Sequence, residues 1–113
     1  MIEQVTPAAL AAWLQAARGE HEPLLLDVRE PVEWRVASVH ADGAELLQLP
    51  MRSLPPRLRE LDPARPVAVL CHHGGRSQQV AMFLAQHGFA RVANVAGGID
   101  AWSLQVDPSV PRY

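Results

Sequence analysis

The residue of this sequence best suited to covalent chemistry is Cys71, its only cysteine. An apolar run, 67–70, precedes it, and a short loop of sequence His-His-Gly-Gly-Arg-Ser, residues 72–77, follows it. The glycine pair lets successive backbone N–H groups turn into the loop, and Arg76 adds a positive charge. Such surroundings attract an anion and favour the thiolate, which is the nucleophilic form of cysteine. We therefore expect Cys71 to be a nucleophile that is partly ionised at neutral pH.

Cys71 has two other interpretations, a structural residue and a metal ligand. An unpaired cysteine is often only a small buried apolar residue. The coincidence of glycines, an arginine and a helix start favours a reactive one. A metal site is not expected, because the sequence has no second cysteine and adjacent residues rarely converge on one ion. We predict no metal and no cofactor.

The residues predicted to surround the sulfur and to bind the substrate or persulfide are His72, His73, Gly74, Gly75, Arg76 and Ser77.

The neighbouring elements explain how Cys71 is positioned. The run 67–70 is short and β-branched at two positions, which indicates a strand buried on both faces. After the loop, Val80, Phe83, Leu84 and His87 share one helical face, and Gly88 ends the helix. Cys71 is thus predicted at the carboxyl end of a strand, where open α/β sheets bind their ligands.

A charged pair is predicted at the same sheet edge. The apolar run 24–26 ends in Asp27, and Arg29 follows two residues later. Buried charges are generally paired, so a buried Asp27–Arg29 ion pair that braces the active loop is the favoured interpretation. Attraction of an anionic substrate by Arg29 is the alternative.

Strands and helices alternate along the chain, which predicts an α/β fold with a central, mostly parallel five-stranded sheet and helices on both faces. We expect one domain over residues 1–113, with an extended tail over residues 106–113 that contains Pro108 and Pro111. The predicted strands are 2–5, 24–27, 45–49, 67–70 and 91–95. Helices are predicted over 8–17, from 31, over 57–61 and after the loop.

Three motifs together resemble the rhodanese-like (sulfurtransferase) family: LLLDVREPVEW, CHHGGRS and NVAGGIDAW, in that order. The resemblance covers nearly the whole chain. It implies that Cys71 accepts a sulfane sulfur, becomes a persulfide and passes the sulfur to a nucleophile. Related phosphatases carry five residues between cysteine and arginine, whereas four stand between Cys71 and Arg76 here. The shorter loop favours sulfur over phosphoryl transfer. Two extra residues near Ser38 to His40 depart from the family pattern.

The expected function is therefore sulfur transfer from a small anionic donor such as thiosulfate to cyanide, a thiol or a protein sulfur carrier, with a protein persulfide as another donor. The ending D-P-x-x-P-x-Y resembles that of rhodanese-like domains beside enzymes that load sulfur carriers. The alternatives are a non-enzymatic rhodanese-like binding module and a small phosphatase or arsenate reductase.

Composition sets limits on partners and location. The chain has 113 residues, 49% of them hydrophobic and 19% charged, and a net charge of −2. No basic run suggests nucleic-acid binding, and no apolar run approaches transmembrane length. One cysteine and the absence of secretory signal features in residues 1–4 lead us to expect a cytoplasmic protein.

Overall fold

A five-stranded sheet runs through the centre of the protein, for which the computed structural model describes residues 2–113. Met1, the first residue of the predicted domain, lies outside the described residues. The strands are β1 (Glu3–Val5), β2 (Leu24–Asp27), β3 (Glu45–Gln48), β4 (Val67–Leu70) and β5 (Val92–Val95). They pair in the order β1-β5-β4-β2-β3, and every pairing is parallel. The predicted α/β class is confirmed, and the sheet is wholly rather than mostly parallel.

In the described part of the chain, five α-helices connect and cover the strands: α1 (Pro7–Ala17), α2 (Pro31–Val36), α3 (Leu54–Arg57), α4 (Gly75–Gln86) and α5 (Gly98–Gln105). Two short 3-10 helices, Met51–Ser53 and Leu58–Glu60, flank α3, so the helix predicted over 57–61 is α-helical only at Arg57. Thr6 caps α1, its hydroxyl accepting a hydrogen bond from the Ala9 N–H at 3.3 Å. His87 was predicted on the buried face of α4 but is exposed, because the helix ends one residue before it. Within residues 2–113, none of the helices has the length and apolar character needed to cross a membrane.

The sheet separates two apolar clusters, because side chains of a strand alternate between its faces. On β2 and β4, Leu25 and Ala68 contribute to one cluster, together with Leu10 of α1 and Trp102 of α5. Their strand neighbours contribute to the other, which includes residues of α3 and α4: Leu24, Leu26, Val67, Val69, Leu54, Val80 and Leu84. Strands β2, β4 and β5 are buried along their whole length. Their burial explains why the sequence shows continuous apolar runs there instead of alternation.

The carboxyl ends of β2 and β4 lie side by side. Asp27 is the register partner of Leu70, so the residues that follow both strands meet at one edge of the sheet. This pairing places Cys71 and Arg29 in the same region although they come from different parts of the chain.

The C-terminal tail returns to that edge. The described residues after Asp107 contain no regular helix or strand, as expected for a segment with two prolines. Val110 is buried in the α1/α5 cluster, and the Arg112 guanidinium pairs with the Asp100 carboxylate at 2.9 Å. These contacts hold the tail against α5. That residues 1–113 form a single domain stays a prediction.

The start of α5 packs directly on the loop that carries Cys71. The N–H groups of Ile99 and Asp100 donate to the carbonyl oxygens of Cys71 and His72, at 2.9 and 3.1 Å. Gly98 has φ +61°, and a Cβ there would overlap both of those carbonyl oxygens. Only glycine combines this backbone conformation with so close an approach.

We predict that Gly98→Ala lowers the free energy of unfolding by about 2–4 kcal/mol, from the left-handed backbone and the overlap together. Urea denaturation followed by circular dichroism measures the change. Gly19→Ala is the matched control, because a Cβ at Gly19 meets no atom within 4 Å. Equal stability of the two variants would contradict the proposed packing of α5 on the loop.

Candidate active site

The Cys71 sulfur lies in the turn between β4 and α4, almost fully buried at 1% exposure. The N–H of Gly74 donates to Sγ at 3.1 Å, and the hydroxyl oxygen of Ser77 lies 3.2 Å from the same sulfur. Gly74 is the N-cap residue just before α4 and has φ +110°, in the left-handed region that favours glycine. The loop therefore aims a backbone N–H and the positive end of a twelve-residue helix at the sulfur.

A buried hydrogen-bond chain continues from Ser77. Its hydroxyl lies 2.5 Å from Oδ1 of Asn94, and Nδ2 of Asn94 donates to the Gln4 side chain at 2.9 Å and to the Gly74 carbonyl at 3.3 Å. Ser77 and Asn94 are buried, and Gln4 is exposed. Sequence reasoning did not include Asn94 among the site residues. The available signal was a polar residue within the buried strand β5.

Arg76 lies beside the loop, but its charge is paired. Its guanidinium binds the Glu33 carboxylate of α2 through two hydrogen bonds, at 2.7 and 2.9 Å. The hydrogen bonds from Arg76 outweigh the opposing effect of burial and lower the pKa of Glu33 from 4.5 to about 2. Glu33 in turn raises the pKa of Arg76. The arginine that we expected to act as a free positive charge is thus largely compensated by a carboxylate that sequence reasoning did not place in the site.

Asp27 and Arg29 form an ion pair from which water is excluded. The Arg29 guanidinium donates to both Asp27 oxygens, at 2.9 and 2.7 Å, and both side chains are 0% exposed. It also donates to the carbonyl oxygens of Glu33 and Ala37, at 3.3 and 2.9 Å. A guanidinium with this burial and these partners favours the bracing role over attraction of a dissolved anion.

Tyr113 connects the tail to this network. Its hydroxyl accepts a hydrogen bond from Arg29 and donates one to Glu33, each at 2.8 Å. Burial is the largest of the effects that raise the pKa of Tyr113. Its ring stacks on His72 with 3.9 Å between ring centroids. The sequence showed Tyr113 only as part of a family-like ending and offered no signal that it reaches the loop.

The two histidines of the loop differ in their surroundings. His72 is half-buried between Tyr113 and His73, whereas His73 is exposed. Burial, followed by the nearby His73, lowers the pKa of His72, so the neutral ring is favoured. His40, near the departure from the family pattern, is exposed and pairs only with Asp42 at 3.1 Å.

The residues with the best arrangement for a metal are His72, His73 and Asp100, whose ligand atoms lie within 4.8 Å of one another. The geometry does not suit one ion well. The two imidazole rings are stacked with 3.8 Å between their centroids and 27° between their planes, so the in-plane lone pairs of the two rings lie in two layers and converge poorly on one ion. Arg112 already pairs with Asp100. That the protein needs no metal or cofactor stays a prediction.

An open groove runs along one side of the loop. Its lining combines loop glycines with polar side chains of α4, β1 and β5: Gln4, His73, Gly74, Gly75, Gln78 and Asn94. A more apolar groove lies between α3 and α4, lined by Met51, Leu54 and Phe83 among others, and it includes no residue of the Cys71 loop from 71 to 77. The polar groove is therefore the better candidate for the approach of a substrate.

Residues 10–105 match the family model of the rhodanese-like domain. The chain belongs to the rhodanese-like domain family. A protein named sulfurtransferase from Allochromatium vinosum is 34% identical over 103 residues, covering 91% of this chain and 90% of that protein. The probable adenylyltransferase/sulfurtransferase MoeZ of Mycobacterium tuberculosis is 34% identical over 109 residues, covering 96% of this chain. Relatives of this rhodanese-like domain thus include proteins named as sulfurtransferases.

The crystal structure of a rhodanese-related protein from Thermoplasma volcanium shares the fold, with a TM-score of 0.75, 28% identity, and coverage of 98% of this chain and 99% of that one. Some curated relatives are much longer. This chain spans 31% and 26% of the first two that it matches, the second being MoeZ.

All the residues predicted for the site lie at one edge of the rhodanese-like sheet, but in different positions. Cys71 and Ser77 are buried against each other, Arg76 binds Glu33, and Asp27 and Arg29 form a fully buried pair. The catalytic and binding roles of these residues stay predictions.

The low pKa of Glu33 makes a pH dependence of stability testable. A carboxylate whose pKa falls from 4.5 unfolded to about 2 folded stabilises the protein above pH 4.5, and that stabilisation is lost as the pH falls towards 2. The free energy of unfolding of the unmodified protein should decrease as the pH falls through this window. We predict that this decrease is about 2 kcal/mol smaller in Glu33→Gln. Urea titrations at several pH values measure it.

Glu60→Gln serves as the control, because Glu60 pairs with Arg57 on the surface, where both side chains are about half exposed. An acid dependence reduced equally by both substitutions would show that the Arg76–Glu33 pair contributes no more than a surface pair.

Proposed function

We propose that this protein is a sulfurtransferase in which Cys71 carries the sulfur as a persulfide, with thiosulfate or a similar anion as the donor. The observation that carries the proposal is the position of the Cys71 sulfur, at the end of β4 and at the start of α4, with the Gly74 N–H directed at it. The sulfurtransferase relatives support the same reaction class.

In the first half-reaction the Cys71 thiolate attacks the sulfane sulfur of thiosulfate. A bond forms between the two sulfur atoms, the bond within thiosulfate breaks, and sulfite leaves with its electron pair. The negative charge then lies on the outer sulfur of the persulfide. Backbone N–H groups of residues 72–77 and the positive end of α4 stabilise that charge, as oxyanion holes stabilise oxygen.

In the second half-reaction a nucleophile attacks the outer sulfur. With cyanide, a carbon–sulfur bond forms, the persulfide bond breaks, thiocyanate leaves and the Cys71 thiolate is restored. No general base is needed if the thiolate is already present, since every displaced group departs as an anion.

A protein sulfur carrier is the proposed physiological acceptor, beside small thiols, and a protein persulfide is the alternative donor. The support comes from the tail, which resembles endings found beside carrier-loading enzymes, and from MoeZ, whose name joins an adenylyltransferase to a sulfurtransferase. Tyr113 brings that tail to His72 at the loop, so residues of the tail form part of the surface an acceptor meets.

The decisive experiment is the intact mass of the purified protein after thiosulfate treatment and desalting, and again after cyanide. We expect a gain of one sulfur that cyanide removes as thiocyanate. Cys71→Ser, which changes one atom of a buried side chain, should gain no sulfur and keep its circular dichroism spectrum.

If thiosulfate, a cysteine-desulfurase persulfide and mercaptopyruvate all fail to load the protein, the sulfurtransferase proposal is wrong. Hydrolysis of an aryl phosphate would then support the phosphatase alternative, and no activity of either kind would support the binding module.

The Arg76–Glu33 pair leads to a second prediction. Glu33→Gln leaves the Arg76 charge uncompensated beside the loop, so an anionic donor should bind better, and we expect the KM for thiosulfate to fall about threefold at low ionic strength. Arg76→Ala should raise it. Steady-state thiocyanate formation measures both. Glu60→Gln removes the same charge from a surface pair and controls for net charge, and an equal fall in KM with Glu60→Gln would contradict the local effect.

A further inference from the structure

The hydrogen bonds around Ser77 determine which way its hydroxyl proton points. A hydroxyl has one proton to donate and two lone pairs to accept with. The Ser77 oxygen lies 2.5 Å from Oδ1 of Asn94 and 3.2 Å from the Cys71 sulfur. All three side chains are buried, at 0%, 4% and 1% exposure in that order, so these contacts are not exchanged with bulk water.

The orientation of the Asn94 amide is settled by its other partners. The Gly74 carbonyl oxygen, 3.3 Å away, can only accept, so the Asn94 atom facing it is the NH₂ group. The same NH₂ group donates to the Gln4 side chain at 2.9 Å. Oδ1 of Asn94 therefore faces Ser77, and an amide oxygen can only accept. The single Ser77 proton is used in that short hydrogen bond.

We propose that Asn94 is a positioning residue that holds the Ser77 hydroxyl proton away from the Cys71 sulfur, so that Ser77 stabilises the protonated thiol. With its proton on the Asn94 side, Ser77 offers only lone pairs to the sulfur. A thiol S–H can donate to them. A thiolate faces them without a donor, unless the hydroxyl leaves Asn94 and turns to the sulfur.

Two opposing effects therefore act on one sulfur. The Gly74 N–H and the start of α4 favour the thiolate, and the Ser77–Asn94 bond favours the thiol. On ionisation the thiol proton passes to water, and any new Ser77 bond to the sulfur is made at the expense of the bond to Asn94. During turnover, the Ser77–Asn94 bond would limit the fraction of Cys71 present as the reactive thiolate while no donor is bound. This consequence rests on the proposed function.

The experiment measures the pH profile of alkylation by iodoacetamide, which reacts with the thiolate of the only cysteine. With Asn94→Ala the Ser77 hydroxyl is free to donate to the sulfur, and we expect the midpoint of the profile to fall by about one pH unit. With Ser77→Ala the thiol loses its acceptor, and the midpoint should fall by about half a unit.

Circular dichroism shows whether Asn94→Ala folds. If it does not, the direction in which Ser77→Ala shifts the midpoint still tests the proposal. If Ser77 donated to the sulfur in the resting protein, its removal would raise the midpoint, so a rise or an unchanged midpoint overturns the proposal. Ser103→Ala is the matched control, because it removes another buried serine hydroxyl, which donates to the Ile99 carbonyl oxygen at 3.2 Å, and its midpoint should equal that of the unmodified protein. The assay requires no sulfur transfer, so its outcome is independent of the thiosulfate experiment.

Discussion

The completely buried guanidinium of Arg29 is the charge around which the loops at this edge of the sheet are arranged. An unpaired charge in the interior is very costly, so each of its N–H groups needs a partner. Asp27 provides the carboxylate, the carbonyl oxygens of Glu33 and Ala37 accept from the other side, and Tyr113 adds its hydroxyl. One side chain thus joins the end of β2, the turns of α2 and the C-terminal tail.

A chain of hydrogen bonds and ion pairs connects Arg29 to Arg76 in the loop that carries Cys71. Tyr113 donates to Glu33, and Glu33 holds Arg76 with two hydrogen bonds. The four charges of this network cancel, so the loop is braced without a strong net field of its own. In the proposed reaction, stabilisation of an anionic sulfur therefore falls mainly to the backbone N–H groups of the loop and to the start of α4.

The loop itself is held from two sides by glycines. Gly74 lets α4 begin directly beside the sulfur, and Gly98 lets the start of α5 donate its N–H groups to the carbonyl oxygens of Cys71 and His72. On the inside of the loop, the Gly74 N–H donates to the Cys71 sulfur. Ser77 adds a buried hydroxyl 3.2 Å from the sulfur, and that hydroxyl is bound to Asn94. The immediate polar neighbours of the sulfur are therefore a backbone group and one serine.

The sequence alone was sufficient for the order of elements and for the position of Cys71. Apolar runs such as 67–70 predict buried parallel strands because both of their faces are covered, and the glycine pair predicts the start of α4 because its backbone conformation is local. The Asp27–Arg29 pair could also be predicted from the sequence, because its two residues are only two positions apart. The tertiary structure decided the partners: Glu33 binds Arg76 43 residues away, Tyr113 binds Arg29 84 residues away, and Asn94 binds Ser77 17 residues away. These contacts depend on how the elements pack on the sheet, and no local preference of the chain specifies which distant side chain satisfies a buried donor or charge.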